Sequence, residues 1–301
     1  MSEQVKANDH STKDILVADL KLVLVAFIWG AGIPMSAVLT RAITPLWAVA
    51  CRMLLSSLFL LIIFRKKIFT ASRRDWAISA MLALVLTCVF TSLTFGLYYS
   101  TASKQALIGG LNVIIVPLFV WAFYRKRPSN WVFAGAAITT AGLMIMGFTP
   151  GMEFNFGDFL SFIMAIFYAL QVMASGYGAK RVDPGRLVAL HIIVLAGIMT
   201  VLALIFEPMP SAALFTPKVM MTLLAVSLGN TILCFFIQFK ALEVTPETHA
   251  AIILSLEALF GYLIAVVSGQ DPFVLQGAFG GLLMIAGIIV TEAEGFVKKA
   301  Q

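Results

Sequence analysis

The residue with the most chemistry to offer is a carboxylate in the middle of an apolar helix. Glu257 stands inside the run THAAIILSLEALFGYL, and Arg52 stands inside a second apolar run, PLWAVACRMLLSSLFLL. A charge held at such depth in lipid costs a few kcal/mol unless it has a partner or water. Arg52 sits about seven residues in from the outer end of its helix, roughly 10 Å deep by helical rise, where carbonyls at a helix end or break could hold it. Glu257 admits three readings: a structural hydrogen bond, a salt bridge with Arg52 as the candidate partner, or a proton or cation site. Polar stripes at helical spacing run alongside: Trp29, Gly32, Ser36; Thr87, Thr91, Thr94, Tyr98; Tyr168, Gln171, Ser175; and Ser227, Thr231, Cys234, Gln238 with Asn230 beside them. In lipid such stripes point toward protein or water. The expected substrate-binding surface is therefore Trp29, Arg52, Tyr98, Asn112, Tyr168, Gln171, Asn230 and Glu257. Serine and threonine can equally bond back to a carbonyl one turn earlier, and Asn112, Gln171 and Asn230 can equally be interhelical glue.

The elements that must position these groups are set by composition. The chain is 60% hydrophobic and 12% charged over 301 residues, with a mean hydropathy of +0.97. That apolar surface needs lipid as its solvent. Apolar runs long enough to cross a bilayer fall near 20–40, 45–64, 77–98, 103–124 and 131–149, then near 157–177, 187–206, 218–239, 248–268 and 273–292. The expectation is an all-α integral membrane fold of ten transmembrane helices. Residues 1–19 form a polar tail, 20–149 a first five-helix unit, 157–292 a second, and 293–301 a closing tail. Cys51, Cys88 and Cys234 lie inside apolar runs with no paired spacing, which argues against disulfides and a metal site. The three histidines come with no HExxH or GxSxG motif, so an intramembrane enzyme is the least favoured class. His191 and His249 are expected near the cytoplasmic interface. Trp47, Trp76 and Trp131 are expected as interfacial anchors.

Charge sets the orientation. With the N-terminus inside, seventeen of the 21 Lys/Arg fall on cytoplasmic segments; only Arg41, Lys104 and Lys218 lie outside, and Arg52 is intramembrane. Both termini are then cytoplasmic. The basic balance is thus an orientation signal and not a nucleic-acid face. A slide of 145 positions lays residues 100–145 over 245–290 and carries Gly135 and Gly142 onto Gly280 and Gly287. Five spans per unit is odd, so the second unit enters from the opposite side, giving the inverted repeat of alternating-access carriers. Spans 1, 3, 4, 6, 8 and 9 are expected to wall a central pocket, with spans 5 and 10 outside. The apolar faces of those two leave a homodimer open.

The run Leu256-Glu257-Ala258-Leu259-Phe260, the first-unit run TASKQALIGGLNVIIVPLFVWAFYRKRPS, Trp29-Gly30 and Arg52 resemble the EamA family of the drug/metabolite transporter superfamily over about residues 20–292. The resemblance implies a secondary transporter of the bacterial inner membrane, multi-pass, moving a small organic metabolite such as an amino acid or an amphipathic compound. It favours export, with no cofactor. A facilitator or channel-like pore is the alternative. Two positions depart from the family pattern: Ala258 stands where proline is usual, which removes one cause of a kink, and Gln270 stands where glutamate is frequent.

Overall fold

The computed structural model describes residues 12–100, 105, 108–147, 154–269 and 273–300, with side chains other than those of residues 12, 37, 97, 98 and 294–300. The described chain is helical: α1 (Thr12–Ala42), α2 (Pro45–Ile63), α3 (Arg65–Phe69), α4 (Arg73–Tyr99), α5 (Asn112–Tyr124), α6 (Asn130–Gly147), α7 (Phe156–Ala179), α8 (Pro184–Phe206), α9 (Pro217–Leu242), α10 (Glu247–Val267) and α11 (Leu275–Ala300). Among the described residues nine of these are long and apolar enough to span a bilayer, and α5 is a shorter apolar helix within the fourth expected span. Residues 101–104, 106 and 107, where that span was expected to begin, lie outside the described residues, as does Gln270.

Local chemistry explains where the helices start. Ser72 and Asp75 close a reciprocal capping box at α4, and Asn155 and Asp158 do the same at α7; each box satisfies amides that a helix start leaves unpaired. Proline opens α2, α8 and α9, where its missing N–H costs nothing.

The inverted repeat is visible in one seam. α6 and α11 pack antiparallel through glycines. A β-carbon built on Gly135 would lie 2.6 Å from the Gly287 carbonyl oxygen, and one on Gly280 would lie 2.5 Å from that of Gly142. Moving each residue by 145 turns the first contact into the second. The reverse contacts, Gly142 on Gly280 at 2.5 Å and Gly287 on Gly135 at 2.7 Å, complete the set. Such reciprocity is what a pseudo-twofold axis between two inverted units requires. These glycine faces are therefore occupied by each other within one chain, where backbones approach closely.

The two units are also clasped at both ends. On the basic face Arg186 reaches the Asp75 carboxylate at 2.9 Å and the Lys67 carbonyl at 3.0 Å, while Lys67 pairs with Asp183 at 2.7 Å. On the opposite face both carboxylate oxygens of Glu207 accept the first amides of α2, Leu46 and Trp47, at 3.0 Å, and Ser100 donates to Asp158. Trp47 is accordingly buried (6% exposed) and is no interfacial anchor, whereas Trp76 and Trp131 stay at the surface.

Candidate functional site

Two spans are interrupted at matching depth. Before α5, residues 110 and 111 form a turn between short helical segments, and Val113 and Ile114 bond back only three residues, to Gly110 and Leu111. In α10 the helix breaks at Ser255, between Glu247–Leu254 and Leu256–Val267, where Ala258 again bonds three residues back. Residues 110 and 255 are related by the 145-residue shift, and so are Asn112 and Glu257. The break thus forms in the second unit without a proline at 258. Backbone groups freed by a mid-span break need partners from neighbouring helices or solutes.

A third irregularity lies in α9, which is π-helical over Val226–Leu233. One extra residue per turn presents Ser227, Asn230 and Thr231 together to α1 and α2. Asn230 is tied through backbone and side chain: its backbone carbonyl accepts the Trp29 indole N–H at 2.8 Å, and its side-chain amide donates to the Ile28 carbonyl at 2.8 Å. A side chain on Gly32 would collide with that amide. Thr231 accepts the Arg52 Nε–H at 2.6 Å, and Ser227 donates to the Arg52 carbonyl at 3.1 Å. Thr231 in turn donates to Val226 at 3.1 Å, five residues back. Arg52 is thereby held in the seam between α2 and α9.

Glu257 is held elsewhere. Among the described residues it forms no ion pair, with Arg52 or with any other cation, so the salt-bridge reading fails. The Tyr168 hydroxyl on α7 lies within electrostatic range of its carboxylate. Gly30 lets α1 run against α10 at this level: a β-carbon there would lie 2.7 Å from the Glu257 carbonyl oxygen. Aromatic pairs lie on the same helices and on α9, with Phe27 against Phe260 at 5.4 Å and Trp29 against Phe235 at 5.7 Å between centroids.

The structure therefore sorts the expected surface. Trp29, Asn230 and Arg52 bond one another's helices together. Gln171 donates to Ser175 one turn on, at 2.9 Å, while its carbonyl oxygen has no protein partner. The side chain of Tyr98 lies outside the described residues. Asn112, which makes no side-chain hydrogen bond within the described protein, joins Glu257 with Tyr168 and the Gln171 carbonyl oxygen in having free bonding capacity. Thr87 bonds back to Ala83 at 2.8 Å, the local reading of a threonine stripe.

The surroundings of two buried polar groups differ from what their sequence context suggests. His191 is fully buried, not interfacial; it sits between Phe235 and Phe239, with centroids at 5.0 and 5.3 Å, and its Nε2 has no protein partner. Neither amide end of buried Gln238 has one either. Gln238 was legible as a member of its stripe; nothing in the sequence marked its isolation. His249 lies 3.0 Å from Glu292, a pairing that no local pattern announces.

Comparison with known proteins agrees with this architecture. The model of the EamA-like transporter family matches residues 16–148 and 155–292, one copy per unit. An uncharacterized transporter of Archaeoglobus fulgidus is 24% identical over 283 residues, covering 92% of this chain and 86% of the relative. An uncharacterized transporter of Methanothermobacter thermautotrophicus is 24% identical over 242 residues, covering 74% and 66%. A crystal structure with 16% sequence identity superposes with a TM-score of 0.77 over 93% of this chain and 96% of that one, and so shares its fold. With two family domains filling two inverted units of a multi-pass membrane protein, the chain belongs to the EamA-like transporter family.

Proposed function

We propose that the protein is a secondary carrier that moves a small amphipathic solute by alternating access, and that the solute bears an amine. The observation that carries this reading is the Glu257 carboxylate: it stands between the two units, near mid-span, within range of the Tyr168 hydroxyl and, among the described residues, in no ion pair. A carboxylate in that setting is stabilised by a proton or by a cationic ligand. An ammonium group beside Glu257 and Tyr168, with its apolar body against Trp29, Phe27 and Phe260, would use both the charge and the aromatic faces. Asn112, at the matching break of the other unit, would supply an amide to the same solute. Alternation follows from the two clasps: the solute site lies between the Arg186–Asp75 and Lys67–Asp183 contacts on one face and the Glu207 contacts on the other, and opening one set at a time exposes it to one side. Outward movement is the favoured direction, by resemblance.

Counterflow in proteoliposomes tests this, using primary amines, their neutral N-acetyl forms and the matching carboxylic acids. Amines should exchange in a saturable way and the N-acetyl forms should not. No flux of any compound above empty vesicles would overturn the carrier; flux of acids but not amines would overturn the amine preference alone.

A further inference from the structure

The cytoplasmic end of α2 carries a feature that solute transport does not use. Residues Ile62, Ile63, Phe64, Arg65, Lys66 and Lys67 line a groove of about 650 Å³ where α2 turns into the short helix α3. Its wall toward the bilayer is apolar and open: Ile62 is 76% exposed and Ile63 58%. Its rim is cationic. Lys67 is already engaged by Asp183 at 2.7 Å and lies over the Phe64 ring at 5.5 Å. Arg65 and Lys66 are exposed, and among the described residues neither forms an ion pair. Arg73 and Arg74 follow at the start of α4, next to the interfacial Trp76.

We infer that this groove is a binding site for an anionic phospholipid, with the phosphate against Arg65 and Lys66 and the first methylenes against Ile62 and Ile63. Charge complementarity and depth select that occupant: an unpaired basic pair at the headgroup level above an apolar wall matches a lipid that is anionic at one end and aliphatic at the other. The molecule contains its own control. Arg125, Lys126 and Arg127 bring equal basic charge to the same face between α5 and α6, but there Arg127 is spent on Trp121 and Asn130. Because Lys67 belongs to both the groove and the clasp between units, the lipid would sit beside a contact that opens during transport.

The test is native mass spectrometry of the full chain released from nanodiscs containing phosphatidylglycerol and phosphatidylcholine. The wild-type protein should retain phosphatidylglycerol over phosphatidylcholine. The Arg65→Gln/Lys66→Gln double variant should lose about thirtyfold in that preference, the change that two interfacial charges carry. Arg125→Gln/Lys126→Gln should stay within about twofold of wild type, and the charge-conserving Arg65→Lys/Lys66→Arg variant should retain the preference even if its stability shifts. Equal retention of the two lipids by wild type, or equal losses in the two Gln variants, would overturn the assignment.

Discussion

The fourth spans of the two units share a backbone plan and differ in what they carry. Each breaks at mid-depth, at residues 110–111 in one and at Ser255 in the other, and each carries a polar residue in the first turn of its second segment, Asn112 or Glu257. The first is neutral and the second ionisable. Scaffold and chemistry have therefore diverged differently: the break and the glycine seam obey the pseudo-twofold axis, while charge, the π-helical turn of α9 and the Arg52 anchor belong to one arrangement without a mirror copy. In the carrier proposed above, the symmetric parts would supply two equivalent ways to tilt the units, and the asymmetric parts would give the solute a single orientation.

The largest effect should come from breaking the shared scaffold. Gly142→Leu and Gly280→Leu each drive a side chain into backbone that would lie 2.5 Å from the first added carbon. Overpacking of this kind costs roughly 1–3 kcal/mol or more, and both variants should lose thermal stability and monodispersity on size exclusion to the same extent. A large loss in only one of them would show that the seam is not symmetric.

Thr231→Val probes an asymmetric contact between the two units. It removes the acceptor for the Arg52 Nε–H, and leaving a charged donor unpaired costs about 2 kcal/mol. A lowered melting temperature with solute binding retained would place Arg52 in the frame; unchanged stability with lost binding would place it in the solute site.

The smallest effect is one of pH, at the clasp on the basic face. Burial alone would raise the pKa of Asp183, but the Lys67 hydrogen bond and the Arg186 amide outweigh it and hold the carboxyl below its ordinary value. A depressed carboxylate contributes its stability in full above the unfolded value of about 3.9 and loses it as pH falls through the folded value. The Asp183→Asn variant should therefore differ in melting temperature from wild type at neutral pH and converge with it under acid conditions. A difference that persists in acid would contradict the assignment.

Much of this was readable in the sequence for a physical reason: lipid enforces apolar runs, loop charge enforces orientation, and a shift of 145 residues aligns glycines that must meet. Arg52 and Glu257 stood out because charge is rare at that depth. Their partners did not. Nothing local says that Arg52 meets Thr231, 179 residues away, which depends on how the units dock, or that Glu257 comes near Tyr168, which depends on how α7 and α10 pack inside the second unit. The π-helical turn was equally hidden, because VSLGNTIL carries no proline and reads as an ordinary polar stripe. Trp47 and His191 were misplaced for the opposite reason: residue type suggested an interface, and packing buried them.

The most direct test of the asymmetry is electrometry of proteoliposomes on a solid-supported membrane, pulsed with a primary amine, for the wild-type protein, Glu257→Gln and Asn112→Leu. The wild-type protein should give a saturable transport current, Asn112→Leu a reduced one and Glu257→Gln none, with all three equally well folded by thermal unfolding. A wild-type current from Glu257→Gln would contradict the account at its centre.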